Sequence, residues 1–338
     1  MKIQKSLPQY IEAFFQEHLA VHRGVSPNTI KSYRDVVKLF LLFIGKTQSK
    51  PITKIKPEDL TVEVVLLFLK DIESTRKNGA ITRNHRLAAL RVFFTYLATS
   101  DVMNIGQYQR ILLIPQKRTS RPMMGYLEVD EINAIFKEID RSTWGGQRDY
   151  VLLNLLYNTG ARVQEICDLK VESIRLDSPP LATICGKGKK TRQVPLWPET
   201  KKLLIDYFHE NNLMENPETF LFQNQRGNPI GRFGVRYVID RRVRNAIKIC
   251  SKLAKKTVTP HTFRHTTAMH LLQSGVELTV IRSWLGHVDI ATTHSYVEID
   301  MEMKRRALEK CNPVKGSKNG LGPLLNKNKD IIGWLETL

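Results

Sequence analysis

Cysteine is scarce and dispersed in this 338-residue chain: four residues, at positions 167, 185, 250 and 311, with no Cys-x-x-Cys pair. That spacing favours neither a disulfide framework nor a thiolate zinc site and leaves reduced structural thiols. Long apolar runs are missing too. No stretch approaches the roughly 18 to 20 residues of a membrane-spanning helix, and the first nine residues carry no apolar signal core, so a soluble cytoplasmic protein with no membrane partner is expected. Internal repeats and low-complexity blocks are absent. The shortage with the most chemical content is of acid: 33 Asp and Glu stand against 52 Lys and Arg, a formal net charge of +19. Such an excess suits a polyanion, nucleic acid ahead of an anionic membrane face. Hydrophobic residues at 42% and charged residues at 25% are ordinary for a globular protein, and the length suits two domains.

The first hundred residues read as helices. One carries Ile11, Phe14, Phe15 and Leu19. Ser26 and Pro27 then form an N-cap followed by proline in the first turn, and Ile30, Tyr33, Val37, Phe40 and Ile44 recur at three or four until Gly45. A third helix is expected from Pro57 through Val64, Val65, Phe68 and Ile72, and a fourth holds Leu87, Leu90, Phe93, Phe94 and Leu97. The fourth also bears Arg83, Arg86 and Arg91. A charge cluster on a helix is ordinarily its solvated face; with this net charge, a grip on DNA phosphates is the alternative.

Residues 113–124 break the pattern. Pro115, Lys117, Arg118, Arg121 and Pro122 suit an exposed linker whose cations can follow a phosphate backbone. This divides the chain into a helical domain at 1–112, the linker, a second domain at 125–311, and a spacer with a terminal amphipathic helix at 312–338. In the second domain helices are expected near 126–139, 148–158 and 163–169. Between Ser173 and Leu196 the period changes toward two, which reads as a small antiparallel sheet with a basic hairpin tip at Gly186-Lys187-Gly188-Lys189-Lys190. Helices return near 200–211 and 235–253. The fold class is therefore mainly α with a small antiparallel β-sheet in the second domain.

The densest run of reactive side chains is His261-Thr262-Phe263-Arg264-His265, then Leu285-Gly286-His287, then Tyr296. His261 and Arg264 lie three apart on one helix, ended by Gly275; a second helix fits 277–284 and a third opens after Asp289. Singly these residues have plain readings: a core tyrosine, hydrogen-bonded histidines, Arg162 paired with Glu165 or Asp168 on its own helix. His261 and His265 have the spacing of a zinc helix, but the glutamate of His-Glu-x-x-His is missing and Arg264 would repel a cation, so no metal is expected.

Taken in order, Thr159-Gly160-Ala161-Arg162-Val163-Gln164-Glu165-Ile166, Gly186-Lys187-Gly188, His261-Thr262-Phe263-Arg264-His265, Leu285-Gly286-His287 and Tyr296 resemble the tyrosine recombinase, or phage integrase, family. Ser26-Pro27-Asn28-Thr29-Ile30-Lys31-Ser32-Tyr33 resembles that family's helical DNA-clasping domain. The resemblance implies a site-specific DNA strand-transfer enzyme of the simple two-domain, Xer-like or transposon-borne kind. It implies a catalytic set of Arg162, Lys187, His261, Arg264, His287 and the nucleophile Tyr296, with Glu165 and His265 supporting it. Cation contacts to DNA are expected from Arg83, Arg86, Arg91, Lys117, Arg118, Lys189 and Lys190. The implied partner is double-stranded DNA with paired inverted half-sites, bound by a dimer at each site and a homo-tetramer on two sites. An accessory protein or partner recombinase, and docking of residues 324–338 on a neighbouring protomer, are left open. A cytoplasmic, nucleoid-associated location is expected.

The chemistry agrees with these residue types. Attack of a tyrosine hydroxyl on a phosphodiester builds negative charge on the non-bridging oxygens, which the forked donors of Arg162 and Arg264 suit. Forming a phenolate at pH 7 from a group of ordinary pKa about 10 costs roughly 4 kcal/mol. A cationic surround lowers that cost, and His261 is the candidate base. By family analogy Lys187 protonates the leaving 5′ oxygen, ahead of Lys189 or Lys190, and His287 hydrogen-bonds the phosphate. A 3′-phosphotyrosyl bond conserves the strand's energy, so no cofactor, ATP or metal is expected. The competing readings are a type IB topoisomerase or telomere resolvase, which shares the phosphotyrosyl step, and a non-catalytic DNA-binding regulator, which predicts a broken catalytic set.

Overall fold

The computed structural model describes residues 5–119, 125–186, 188 and 190–286. The chain divides into two compact units, Met1–Pro122 and Met123–Leu338. Lys187, Lys189, His287, Tyr296, the helix expected after Asp289 and the segment 324–338 lie outside the described residues.

The first unit is all helical. Helix α1 (Leu7–Ala13) runs into a π-helical stretch at Phe14–His22, followed by α2 (Pro27–Thr47), α3 (Val62–Ser74), α4 (Ala80–Ser100) and α5 (Ile105–Leu112). The Ser26 hydroxyl accepts the Thr29 amide at 3.3 Å, the N-cap that starts α2. The π-helical stretch was not anticipated. Its wider register brings residues five apart toward one face, and Phe14 and Leu19, both fully buried, are five apart.

The third helix starts later than expected. Pro57–Asp59 forms a 3₁₀ turn in which the Asp59 carboxylate takes the Lys56 amide at 2.7 Å, and the Thr61 hydroxyl then caps α3. The core is aromatic: Phe14 meets Phe93 with ring centroids at 5.0 Å, Phe40 meets Phe68 at 5.1 Å, and Phe94 meets Tyr108 at 5.8 Å. Tyr108 anchors α5, an element with too few apolar residues to stand out in sequence, and donates to Asp101 at 2.7 Å from a fully buried position.

The second unit is α+β. It comprises α6 (Val129–Lys137), α7 (Trp144–Thr159), α8 (Val163–Cys167), a sheet of β1 (Ile174–Arg175), β2 (Leu181–Cys185) and β3 (Thr191–Pro195), then α9 (Pro198–Glu210), α10 (Arg232–Ala246), α11 (Pro260–Gln273) and α12 (Leu278–Leu285). The sheet is antiparallel in the order β1-β2-β3, with Ala182 opposite Val194 and Ile184 opposite Arg192. Helix α7 is the centre of this unit. Val151, Leu152, Leu153, Leu155 and Leu156 are all fully buried, so it is apolar around most of its circumference, and α9 and α11 pack on it. Helix α10 stops at Ala246, short of the expected 253, and the chain continues through a 3₁₀ turn at Ser251–Lys255. Among the described residues no helix is long and apolar enough to cross a membrane.

Candidate active site

Helix α7 ends at Gly160, which takes the left-handed conformation (φ +57°) and turns the chain directly into Arg162, the N-cap of α8. Glu165 closes a box there, its Oε2 accepting the Arg162 amide at 2.8 Å and its Oε1 accepting Arg162 Nη1 at 2.9 Å. Helix α11 supplies the opposite wall. Thr259 caps it by accepting the Thr262 amide at 3.1 Å, Pro260 fills the first turn, and His261, Arg264 and His265 follow.

Arg264 is 4% exposed and donates through Nη1 to the Gly160 carbonyl and through Nη2 to the Leu285 carbonyl, each at 2.6 Å. Arg162 Nη2 reaches the Gly286 carbonyl at 3.4 Å. Two guanidiniums remote in sequence thus meet at successive carbonyls where α12 ends, immediately before His287. Cations there also favour the negative end of the helix dipole. The Arg162–Glu165 pairing that sequence allowed as a plain alternative is present, and it coexists with this convergence.

His261 is solvent-accessible on one side, while exclusion of water by its surroundings, then the Arg264 and Arg162 charges, lower its imidazole below the ordinary value. It is therefore neutral near pH 7 and able to accept a proton. His265, deeper in the helix, is lowered to about 4 by burial and then by His261 and Arg264, and stays neutral through the physiological range.

Burial alone would raise the Glu165 carboxyl. The hydrogen bond from Arg192 leads the contacts that reverse this, with Arg162 adding to it, and the carboxyl lies below its ordinary value. Arg192 is the residue that sequence reasoning missed. Its Nη2 meets Glu165 Oε2 at 2.7 Å and its Nε meets the Trp284 carbonyl at 2.9 Å. A signal was available: in a strand of period two, Arg192 shares a face with the fully buried Val194, and a charge on a core face needs partners.

The hairpin base also abuts this cluster. Gly186 closes it by donating to the Lys190 carbonyl at 2.8 Å, and a Cβ added at Gly186 would come within 3.2 Å of Glu165 Oε1. Gly186 and Gly286, the residues immediately preceding Lys187 and His287, are thus at the cluster.

The basic residues of the first unit are placed differently. Arg83, expected on the open face of α4, is 6% exposed and donates to the Pro115 carbonyl at 3.5 Å and to Asn84 Oδ1 at 3.2 Å. Arg91 donates to the Ile114 carbonyl. These donors tie the segment after α5 onto α4, which is why Arg83 turns inward. Arg86 is half-buried, with Nη1 sealed from solvent and unpartnered. Lys117 is exposed and pairs with Glu73 at 2.8 Å; Arg118 and Lys190 are exposed.

Comparison with known proteins bears on this arrangement. Residues 125–303 match the profile described as Phage integrase family, and residues 11–100 match Phage integrase, N-terminal SAM-like domain. The chain is 35% identical over 333 residues to a putative integrase/recombinase, y4rC, of Sinorhizobium fredii, covering 98% of each protein. It is 31% identical over 321 residues to the tyrosine recombinase XerC of Oceanobacillus iheyensis, covering 93% of this chain and 99% of that one. Its fold is similar to that of XerH site-specific recombinase bound to palindromic difH substrate, at a TM-score of 0.66 and 22% identity, over 85% of this chain and 81% of that one.

Proposed function

The chain belongs to the phage integrase family, the tyrosine recombinases, and from that premise we propose how its own residues carry out strand transfer. It is a site-specific DNA recombinase, and its partner is double-stranded DNA. Tyr296 is the nucleophile in this reading. Its hydroxyl attacks the scissile phosphorus, a 3′-phosphotyrosyl bond forms, and the bond to the 5′ oxygen breaks. His261, neutral near pH 7, takes the phenolic proton, and Lys187 delivers one to the departing 5′ oxygen. Arg162, Arg264 and His287 hold the non-bridging oxygens, where each such donor is worth roughly 100- to 1,000-fold in rate.

The observation that carries this reading is the meeting of Arg162 and Arg264 at Gly286 and Leu285, since paired guanidiniums at one point fit a phosphodiester whose charge increases during attack. A dimer on each pair of inverted half-sites and a tetramer on two sites complete the proposal, in the cytoplasm. The setting is integration and excision of a mobile element or resolution of chromosome or plasmid dimers.

The test is covalent trapping. Parent protein and Tyr296→Phe are mixed, in EDTA, with nicked duplexes drawn from DNA flanking the gene and from a chromosomal dimer-resolution site, then run on a denaturing gel. A protein–DNA adduct with the parent alone is expected, and the duplex that traps identifies the setting. An adduct that persists in the variant moves the nucleophile elsewhere. Specific binding with no adduct on any duplex overturns the catalytic reading in favour of a regulator.

A further inference from the structure

Three arginines from three elements donate to three successive carbonyls at the end of α12: Arg192 to Trp284, Arg264 to Leu285 and Arg162 to Gly286. Two of the three belong to the phosphate-binding set of the preceding proposal. Arg192 does not, and nothing in the reaction chemistry requires it.

Its surroundings explain why it is there. The side chain is 11% exposed, and an arginine so placed is tolerated only if its donors are used. Two of its three nitrogens bond into protein, Nη2 to Glu165 and Nε to the Trp284 carbonyl. Glu165, itself 5% exposed, divides its oxygens: Oε1 holds the Arg162 guanidinium, while Oε2 holds Arg192 and the Arg162 amide. One carboxylate therefore bridges the Arg162 guanidinium and that of a β3 residue.

The glycines mark how tightly this is closed. Gly286 has φ +63°, and a Cβ there would meet Arg192 Cδ at 3.0 Å and Nη1 at 3.2 Å, so both its conformation and its neighbour call for glycine.

We propose that Arg192 is a positioning residue of the recombinase site: by clamping the Glu165 carboxylate to the Trp284 carbonyl, it fixes the Arg162 guanidinium and the chain leading into His287 relative to one another. This rests on the strand-transfer reading given above. Lysine would not substitute fully. A guanidinium offers Nε and Nη2 in one rigid plane to two separate acceptors, whereas an ammonium is a point donor on a flexible stem. Misplacement of a reacting or stabilising group by about 1 Å costs on the order of 100-fold in rate, and uniform binding of DNA by other cations is untouched by it.

The experiment measures single-turnover cleavage of the trapping duplex by the parent, Arg192→Met, Arg192→Lys, Arg162→Lys and the Arg192→Met/Arg162→Lys double variant. Half-site affinity is read by gel shift and folding by urea titration. Arg192→Met should cleave roughly 30- to 100-fold more slowly with affinity within about twofold, and Arg192→Lys should recover part of the loss. On the Arg162→Lys background the Arg192→Met loss should shrink to a few-fold, because both act through one guanidinium.

Multiplicative losses in that cycle, or a cleavage loss matched by loss of folded protein, would overturn the positioning role. So would an unchanged rate. If Arg192→Met does not fold, the same cycle read with Arg192→Lys decides. A parent that forms no adduct removes the strand-transfer reading itself, which is distinguishable from a parent and variant that cleave alike.

Discussion

Lowering the pH from 7.5 to 5 should destabilise the second unit by about 1 to 2 kcal/mol through His265 alone. Its imidazole is lowered from 6.5 to about 4, first by burial and then by His261 and Arg264. The unfolded chain takes up the proton as pH falls through about 6.5, while the folded chain refuses it until about 4. In that window the unfolded state binds more protons, so stability is complete above about 6.5, declines as pH falls, and levels off below about 4. At about 1.36 kcal/mol per pH unit, the stretch down to pH 5 amounts to about 2 kcal/mol, and the ring's partial contact with solvent screens some of that.

The assay has a convenient reporter. Trp144, Trp197 and Trp284 lie in the second unit and residues 1–122 contain no tryptophan, so fluorescence in a urea titration does not report on the first unit. The comparison is parent against His265→Gln at both pH values. His270, whose imidazole is also lowered, titrates in both proteins and cancels in the difference. A parent-minus-variant stability difference that is the same at pH 7.5 and pH 5, within about 0.3 kcal/mol, would refute the linkage argument.

Two further outcomes are expected. The lowered His261 imidazole places the acid limb of single-turnover cleavage below pH 6.5, with rate lost as pH falls through it. His261→Gln should abolish that limb and slow cleavage by roughly 100- to 10,000-fold, and a variant that keeps the limb would exclude His261 as the base. Gly160→Ala forces alanine into φ +57° and brings its Cβ to 2.4 Å from Leu285 Cδ2, so a loss of about 1 to 3 kcal/mol in the same urea titration is expected. Gly188→Ala, at φ +75° with no atom of the described residues within 4 Å of the added carbon, should lose only the conformational part, about 1 kcal/mol; equal losses at the two sites would contradict the packing account.

Much of the fold was legible because local rules and global packing agree. Ser26-Pro27 starts α2, Gly160 ends α7, and Pro260 opens α11, each through backbone preferences that need no partner. Where tertiary packing sets the register, the reading was weaker. The π-helical stretch follows from burying both Phe14 and Leu19, α5 is held by Tyr108 far more than by its own composition, and the late start of α3 reflects the use of Asp59 in a turn. Arg83 shows the same limit in reverse. Its charge suggested an open face, and its burial depends on a segment more than thirty residues away.

The sequence by itself determined the two-unit helical plan, the basic character and the residue types that phosphodiester attack requires, because helix periods, caps and the ordinary chemistry of each side chain are local properties. Only the tertiary structure decided that Arg162, Arg192 and Arg264, carried on the α8 cap, β3 and α11, donate to three successive carbonyls at one helix end. Spacing along a chain cannot encode that meeting. A guanidinium in a buried place is stable only where folding has already brought acceptors to it, and those acceptors come from elements remote in sequence.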